Sequence, residues 1–563
     1  MISRREFFVA ASATAALAAG SGLPLGRLAA EGRLTQDELL AFDPVGNLTL
    51  VHVTDIHAQL VPIHFREPSA NFGVGEARGR VPHVTGSEFL KTFRLSEGSA
   101  LAHALTAEDF EALARTYGAM GGLDRVATVI KAIRAERGDR VLLLDGGDTW
   151  TNSWTSLQTK GQDMVDAMRL LKPDAMTAHW EFTLGEARVR ELVDSLGFPL
   201  LAQNMREAEF EEKVFEASQL FERGGVKVGV IGQAFPYTPI ANPRWMIPNW
   251  TFGIREKELA AEVEALRARG ADVIVLLSHN GFDVDRKIAE RVPGLDVILS
   301  GHTHDAVPEV TLVGKTILVA SGSNGKFVSR LDLDVTSKRI AGFRYRLIPI
   351  FSDAITPDPE MKAYIASARA PYEADLSRVL GTADGLLYRR GNFDGTLDTL
   401  ICDAIIEGRD VEISLSPGVR WGPTLLPEHP ITFEDVTNAT AMSYPACYRT
   451  TMTGARLKEV LEDVADNIFN PDPYYQQGGD MVRCGGLRYT IDVAQPIGQR
   501  ISNLTLLRTG EPLDAAKTYT VGGWASVNED TQGPPIWDVV SEYISGKKVV
   551  GVRPGTTVEV KGV

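Results

Sequence analysis

At 563 residues and a formal net charge of −15, the chain is too long for one hydrophobic core and too acidic to take nucleic acid as a bulk partner. Its 44% hydrophobic and 23% charged residues, with 53 Gly and 29 Pro, suit a folded α/β protein and exclude a fibrous or disordered one. The three cysteines, Cys402, Cys447 and Cys484, lack Cys-x-x-Cys spacing, which leaves either one disulfide or three reduced buried thiols.

In chain order, Ser3-Arg4-Arg5-Glu6-Phe7-Phe8 comes first, a twin arginine ahead of an Ala-rich apolar run that ends in small residues near Ala29-Ala30. This reads as a twin-arginine signal over residues 1–30, too short and weak for a permanent anchor. It predicts a periplasmic protein exported already folded, with its metals loaded beforehand; the alternative is an amphipathic first helix.

Residues 48–55 form a β-branched apolar run ending in Asp55, the pattern of a buried strand that delivers a ligand at its end. The design recurs where 141–145 runs into Gly146-Gly147-Asp148, 273–277 into Ser278-His279-Asn280, and 297–299 into Ser300-Gly301-His302-Thr303-His304. Helical periodicity over 123–137, 164–171 and 256–269 alternates with these strands, which predicts a layered α/β domain spanning 40–350 with its ligands converging at one rim. Residues 64–118, poor in strand pattern, read as a long insertion serving as a lid or partner surface. A linker helix over 355–378 and a second domain over 380–563 follow, with strands expected at 487–493 and 518–522.

The candidate metal ligands are Asp55, His57, Asp148, His179, His279, His302 and His304. Alone, any one of these histidines would be read as a satisfied core residue. Together they supply seven N/O donors without a thiolate, a set that fits two divalent ions of hard to borderline character sharing one carboxylate.

These ordered motifs resemble those of calcineurin-like metallophosphoesterases, and Ser416-Pro-Gly-Val-Arg-Trp-Gly422 with Gly485-Gly-Leu-Arg-Tyr-Thr490 resembles the C-terminal domain of 5′-nucleotidases. The resemblance implies a four-layer αββα sandwich joined by the linker helix to an α+β substrate domain. It also implies one ion on Asp55, His57, Asp148 and His304 and another on Asp148, His179, His279 and His302, both Mn2+ or alternatively Zn2+.

One stretch departs from the nucleotidase pattern. Ala178-His179-Trp180-Glu181-Phe182-Thr183 stands where nucleotidases carry Gly-Asn-His-Glu-Phe-Asp, so His179 replaces an Asn ligand, Trp180 the catalytic His and Thr183 the Asp that orients it. With the twin arginine and the Asp55-Ile-His-Ala-Gln-Leu60 start, this variant resembles the SoxB family of periplasmic dimanganese thiosulfohydrolases. That resemblance implies a monomeric hydrolase that releases sulfate from a cysteine S-thiosulfonate on a SoxYZ-like carrier protein, using water ionised between two metals.

On the substrate side the candidates are Trp180, Arg420 and Asn204. Arg420 is read as an anion contact or a surface ion pair, Asn204 as an anion contact or a turn former, and Cys484 as structural. Met442-Ser443-Tyr444-Pro445 predicts a narrow, open cleft without a paired aromatic clamp for a nucleobase. An exported 5′-nucleotidase or related phosphoesterase, and a metal-binding partner protein without activity, are the competing readings.

Overall fold

The computed structural model describes residues 34–552 and 557–563, so the twin-arginine reading of residues 1–30 lies outside the described residues. The strands foreseen as ligand carriers form the centres of two sheets. In the first, Leu48–Val53 lies between Val141–Asp145, its parallel neighbour, and Phe327–Thr336, its antiparallel one, with Arg339–Pro349 and Ala175–Met176 at the edges. In the second, Val226–Gln233, Val273–Ser278, Val297–Ser300 and Thr316–Ala320 run parallel, and Ser218–Arg223 and Thr311–Val313 close the edges antiparallel.

Alternation along the strands stacks these sheets into four layers. Leu48, Leu50, Leu142 and Leu144 meet Val228, Val273, Val275 and Leu277 between the sheets. The opposite side chains, Val51, Val53 and Leu143, pack on helices including Leu123–Arg137. Ile274 and Leu276 likewise meet Leu259 and Val263 of helix Glu256–Ala268. Strands covered on both faces have no polar face to alternate with, which is why they read as continuous apolar runs. Helix Leu123–Arg137 buries Leu123, Val126, Ala127, Ile130 and Ile133 at helical spacing, and Gly138 at φ +61° stops it.

The linker region holds helix Pro359–Arg369, a 3₁₀ turn Ala370–Tyr372 and the short helix Glu373–Leu376. Beyond it, Tyr448–Thr453, Thr518–Gly523, Ile413–Gly418 and Asp480–Gly485 form a mixed four-stranded sheet backed by helix Thr396–Arg409. Leu487–Asp492 belongs to a separate three-stranded sheet. The three cysteines are free thiols, with Cys402 and Cys447 buried. Among the described residues, no helix is long and apolar enough to cross a membrane.

The insertion read as a lid or partner surface has secondary structure of its own. It contains helices Gly86–Thr92, Ala100–Leu105 and Phe110–Tyr117, and it is fastened to both domains. On the first-domain side the fully buried Lys326 donates to Glu67 at 2.5 Å, Phe65 O at 3.1 Å and Ala104 O at 3.0 Å. On the second-domain side Thr424 N donates to His64 O at 2.7 Å, Arg66 N to Thr424 Oγ1 at 3.0 Å, and Phe72 N to Asn392 Oδ1 at 2.6 Å. The residue types did not reveal this fastening, because most of these contacts run through backbone groups of the insertion.

A buried pair stabilises only while both partners stay. Lys326→Ala should therefore destabilise the protein by about 3–5 kcal/mol, whereas the double variant Lys326→Met with Glu67→Leu should cost less than the single one. Chemical denaturation of the three proteins measures both differences.

Candidate metal centre

Each ligand sits at a strand end or in the turn after it. Asp55 and His57 follow Leu48–Val53, Asp148 follows Val141–Asp145, His279 follows Val273–Ser278, and His302 and His304 follow Val297–Ser300. His179 opens the 3₁₀ turn Trp180–Leu184. Five of these seven residues have left-handed backbone: Asp55 (φ +52°), His57 (+50°), Asp148 (+56°), His302 (+75°) and His304 (+58°). That conformation is costly for residues with a Cβ and persists only where surrounding contacts over-determine it, as happens at functional sites.

The donors fall into two groups of four that share Asp148: Asp148, His179, His279 and His302, and Asp55, His57, Asp148 and His304. Within each group the ligand atoms lie within 4.8 Å of one another. Asp148 Oδ2 is 3.0 Å from His279 Nε2, 3.3 Å from His179 Nδ1 and 4.0 Å from His57 Nε2. Asp55 Oδ1 is 3.2 Å from His304 Nε2. His57 Nε2 and His304 Nε2 face each other at 2.9 Å.

Neighbouring groups set which ring nitrogen faces inward. Gly146 O takes the His279 Nδ1 hydrogen at 2.6 Å, which leaves Nε2 for the centre. Asn242 Oδ1 pairs with His179 Nε2 at 3.1 Å and Gln477 O with His302 Nε2 at 2.8 Å, so both of these rings turn Nδ1 inward. Asn152 Oδ1 pairs with His57 Nδ1 at 3.1 Å, which leaves Nε2. Buried metal-binding histidines depend on such outer partners for tautomer and orientation. The buried Glu181 carboxylate gathers the turns themselves, accepting N–H groups from His179 at 2.8 Å, Thr149 at 2.6 Å and Asp148 at 3.3 Å. Gly301 fits where it does because a Cβ there would lie 2.5 Å from Thr54 Oγ1 and 3.1 Å from Asp55 Oδ2.

Electrostatics match this donor set. Burial alone would raise the Asp55 and Asp148 carboxyls, but the histidines around them hold both well below the usual carboxylate range. Burial lowers His57 to about 4 and also lowers His179 and His302, so these rings are neutral and offer lone pairs. Against its own burial, His279 is raised to about 10 by Asp148 and then Asp55, a measure of how strongly the two carboxylates call for positive charge. Carboxylates and imidazoles without thiolate form a donor set that fits two divalent cations.

A cavity of about 220 Å³ opens over the centre, between the domains. Trp180, Phe235, Asn242, Arg420 and Trp421 line it beside the ligands. Trp180 stacks on Tyr444 at 6.2 Å and meets Trp421 edge-on at 5.0 Å, and Trp421 lies 5.0 Å from the His57 ring. Trp180, Trp421 and Tyr444 thus pack together. Phe235 lies against His179 at 4.1 Å and His302 at 4.2 Å.

Arg420 reaches the cavity with one hydrogen of each nitrogen engaged: Nε to Asp480 at 3.1 Å, Nη1 to Thr303 O at 2.9 Å and Nη2 to Gly479 O at 2.6 Å. Asn204 does not reach it, which corrects the anion-contact reading. Its amide is fully buried and spent on backbone, Nδ2 donating to Ala234 O at 2.7 Å and Gly253 O at 2.9 Å while Oδ1 accepts from Ala234 N at 2.9 Å. Sequence reasoning missed Asn152, Asn242 and Gln477, which stand in loops without pattern. It gave no role to Glu181 and Trp421, though both adjoin recognised motifs.

With this geometry established, residues 48–306 match the calcineurin-like phosphoesterase family and residues 379–533 the 5′-nucleotidase C-terminal domain. Fold and site together define a metal-dependent hydrolase of the metallophosphoesterase and 5′-nucleotidase superfamily. Among curated relatives, the 5′-nucleotidase of Bos taurus is 25% identical over 511 residues, covering 79% of this chain and 86% of that one. The snake venom 5′-nucleotidase of Naja atra is 26% identical over 455 residues, covering 71% and 83%. Among solved structures, the sulfate thiohydrolase SoxB of Thermus thermophilus superposes with a TM-score of 0.90 at 36% identity, covering 93% of this chain and 98% of that one. A 5′-nucleotidase precursor from Thermus thermophilus shares the fold at 0.72 and 22%, covering 92% and 99%. The chain belongs to the SoxB family.

The shared carboxylate yields a direct expectation. Asp148→Asn should abolish binding of both ions, and His304→Ala should mainly weaken one. Metal stoichiometry by plasma emission spectrometry distinguishes the two; retention of both ions by Asp148→Asn would refute the sharing.

Proposed function

We propose that this protein hydrolyses the S-thiosulfonate of a cysteine on a sulfur-carrier protein of the SoxYZ type, releasing sulfate in the periplasm after export in the folded state. The observation that carries the reading is Trp180, whose indole lines the cavity over the metal centre at the position where nucleotidases carry a histidine. Two divalent ions bound at this centre would offset the charge of a tetrahedral sulfonate and activate water.

The chain's own residues do the rest. A phosphate monoester departs as an alkoxide, whose conjugate acid has a high pKa, and a histidine acting as general acid contributes typically about 10²–10⁴-fold to rate. A persulfide is a far weaker base and leaves unprotonated. An indole in place of imidazole then costs little, while Trp180 and Trp421 wall the cavity against bulk water. Arg420 brings a guanidinium to the same cavity, and its terminal nitrogens each carry a second hydrogen for an anion. His179, held by Asn242, supplies an imidazole where nucleotidases use an amide ligand.

The curated relatives favour a second reading, hydrolysis of a 5′-nucleotide. The absence of a histidine at Trp180 weighs against it.

Two measurements separate them. Under equal Mn2+ loading, the protein should release sulfate from a carrier cysteine S-thiosulfonate far faster than phosphate from 5′-AMP; the opposite order would sink the proposal. Trp180→Ala should lower turnover by about tenfold or more through lost positioning, with both ions retained and little change in the pH profile. A Trp180→His variant with undiminished thiosulfonate cleavage and no gain on phosphate monoesters would remove the leaving-group argument.

A further inference from the structure

The loop Gly301-His302-Thr303-His304 belongs to the first domain, yet much of what holds it comes from the second. Two buried guanidiniums converge on the carbonyl between the histidines: Arg420 Nη1 donates to Thr303 O at 2.9 Å and Arg390 Nη2 donates to the same oxygen at 3.2 Å. Gln477 O accepts from His302 Nε2 at 2.8 Å. Gly478 lies so close that a Cβ on it would stand 2.7 Å from His302 Nε2. From the first domain, the loop's backbone is held by the Asp55 carboxylate, which accepts the His302 N–H at 3.1 Å.

These contacts bear on a strained segment. His302 and His304 both have left-handed backbone, at φ +75° and +58°, and the Thr303 peptide between them fixes where each ring points. A carbonyl with two acceptor directions, filled by two charged donors, cannot rotate without losing both, and charge-assisted hydrogen bonds are roughly twice as strong as neutral ones.

We infer that Arg390, together with Arg420, is a positioning residue for the metal centre, pinning the Thr303 peptide so that His302 presents its donor to one ion and His304 to the other. Arg390 suits this task because it lines no part of the cavity over the metals and is 3% exposed. Burial and the neighbouring Arg420 disfavour its charge, which Asp480, Glu67 and Asp305 offset only in part. The inference rests on the assignment of His302 and His304 as metal ligands and on nothing about the substrate.

The test is Arg390→Met in the full chain, titrated with Mn2+ by calorimetry and melted with and without metal. Both ions should bind about 10–100-fold more weakly, the range typical of lost outer partners, and the rise in Tm on metal loading should shrink. Arg390→Lys keeps the charge near Glu67 and Asp305 but not the guanidinium fork, so it should recover the Tm of the metal-stripped protein while metal affinity stays reduced. It also carries the test should Arg390→Met fail to fold. Wild-type affinity for both ions in either variant would overturn the inference, as would equal losses of Tm in stripped and loaded protein with affinity unchanged. If the wild type itself bound fewer than two equivalents of Mn2+, the ligand assignment would be at fault, and the two failures are thereby told apart.

Discussion

The arrangement turns on one carboxylate. Asp148 sits fully buried at the end of a central strand, and its Oδ2 is within reach of His279, His179 and His57, which arrive from three other parts of the chain. A buried negative charge is tolerated only with positive charge or several hydrogen-bond donors beside it. That requirement explains the strand order, which brings the ends of Val141–Asp145 and Val273–Ser278 to the same rim, and it explains the left-handed turns that aim the ligands inward. It also explains Glu181, a second buried carboxylate that needs no cation because it is satisfied by backbone N–H groups.

The second domain completes the first. The outer partners of His302 and of the Thr303 peptide come from Gln477, Arg390 and Arg420, and the insertion fastens the same domain from the other side through Thr424 and Asn392. The cavity between the domains is thus bounded by parts that also hold the metal ligands, so a change in domain orientation would be felt at the centre.

What could be read from the residues alone follows from periodicity. Strands covered on both faces stand out as apolar runs, and although one histidine after such a run reads as a satisfied core residue, seven N/O donors together do not, so the donor cluster and the layered fold were both legible. Trp180 was legible because it breaks a motif. The outer partners were not: Gln477 acts through its backbone carbonyl, to which its side chain adds no signal, and Asn242 lies in an irregular loop. Asn204 misled because an amide after a strand looks the same whether it faces a ligand or clamps two backbone segments. The fastening of the insertion was not legible either, because Lys326, which holds it, lies over 200 residues away in the chain.

The pairing of Leu48 with Leu333 has a consequence for how the molecule comes into being on the ribosome. The strand that leads into Asp55 and His57 is made well before its antiparallel neighbour, which emerges only after most of the first domain has been synthesised. Until then one edge of that strand stays unpaired, and Gln477, which orients His302, is made later still. Contacts this distant in sequence form late in folding, since loop closure must precede them. The centre is therefore among the last parts of the nascent protein to take shape, and a partly made chain has apolar strand edges open to misassociation but no finished place for a metal.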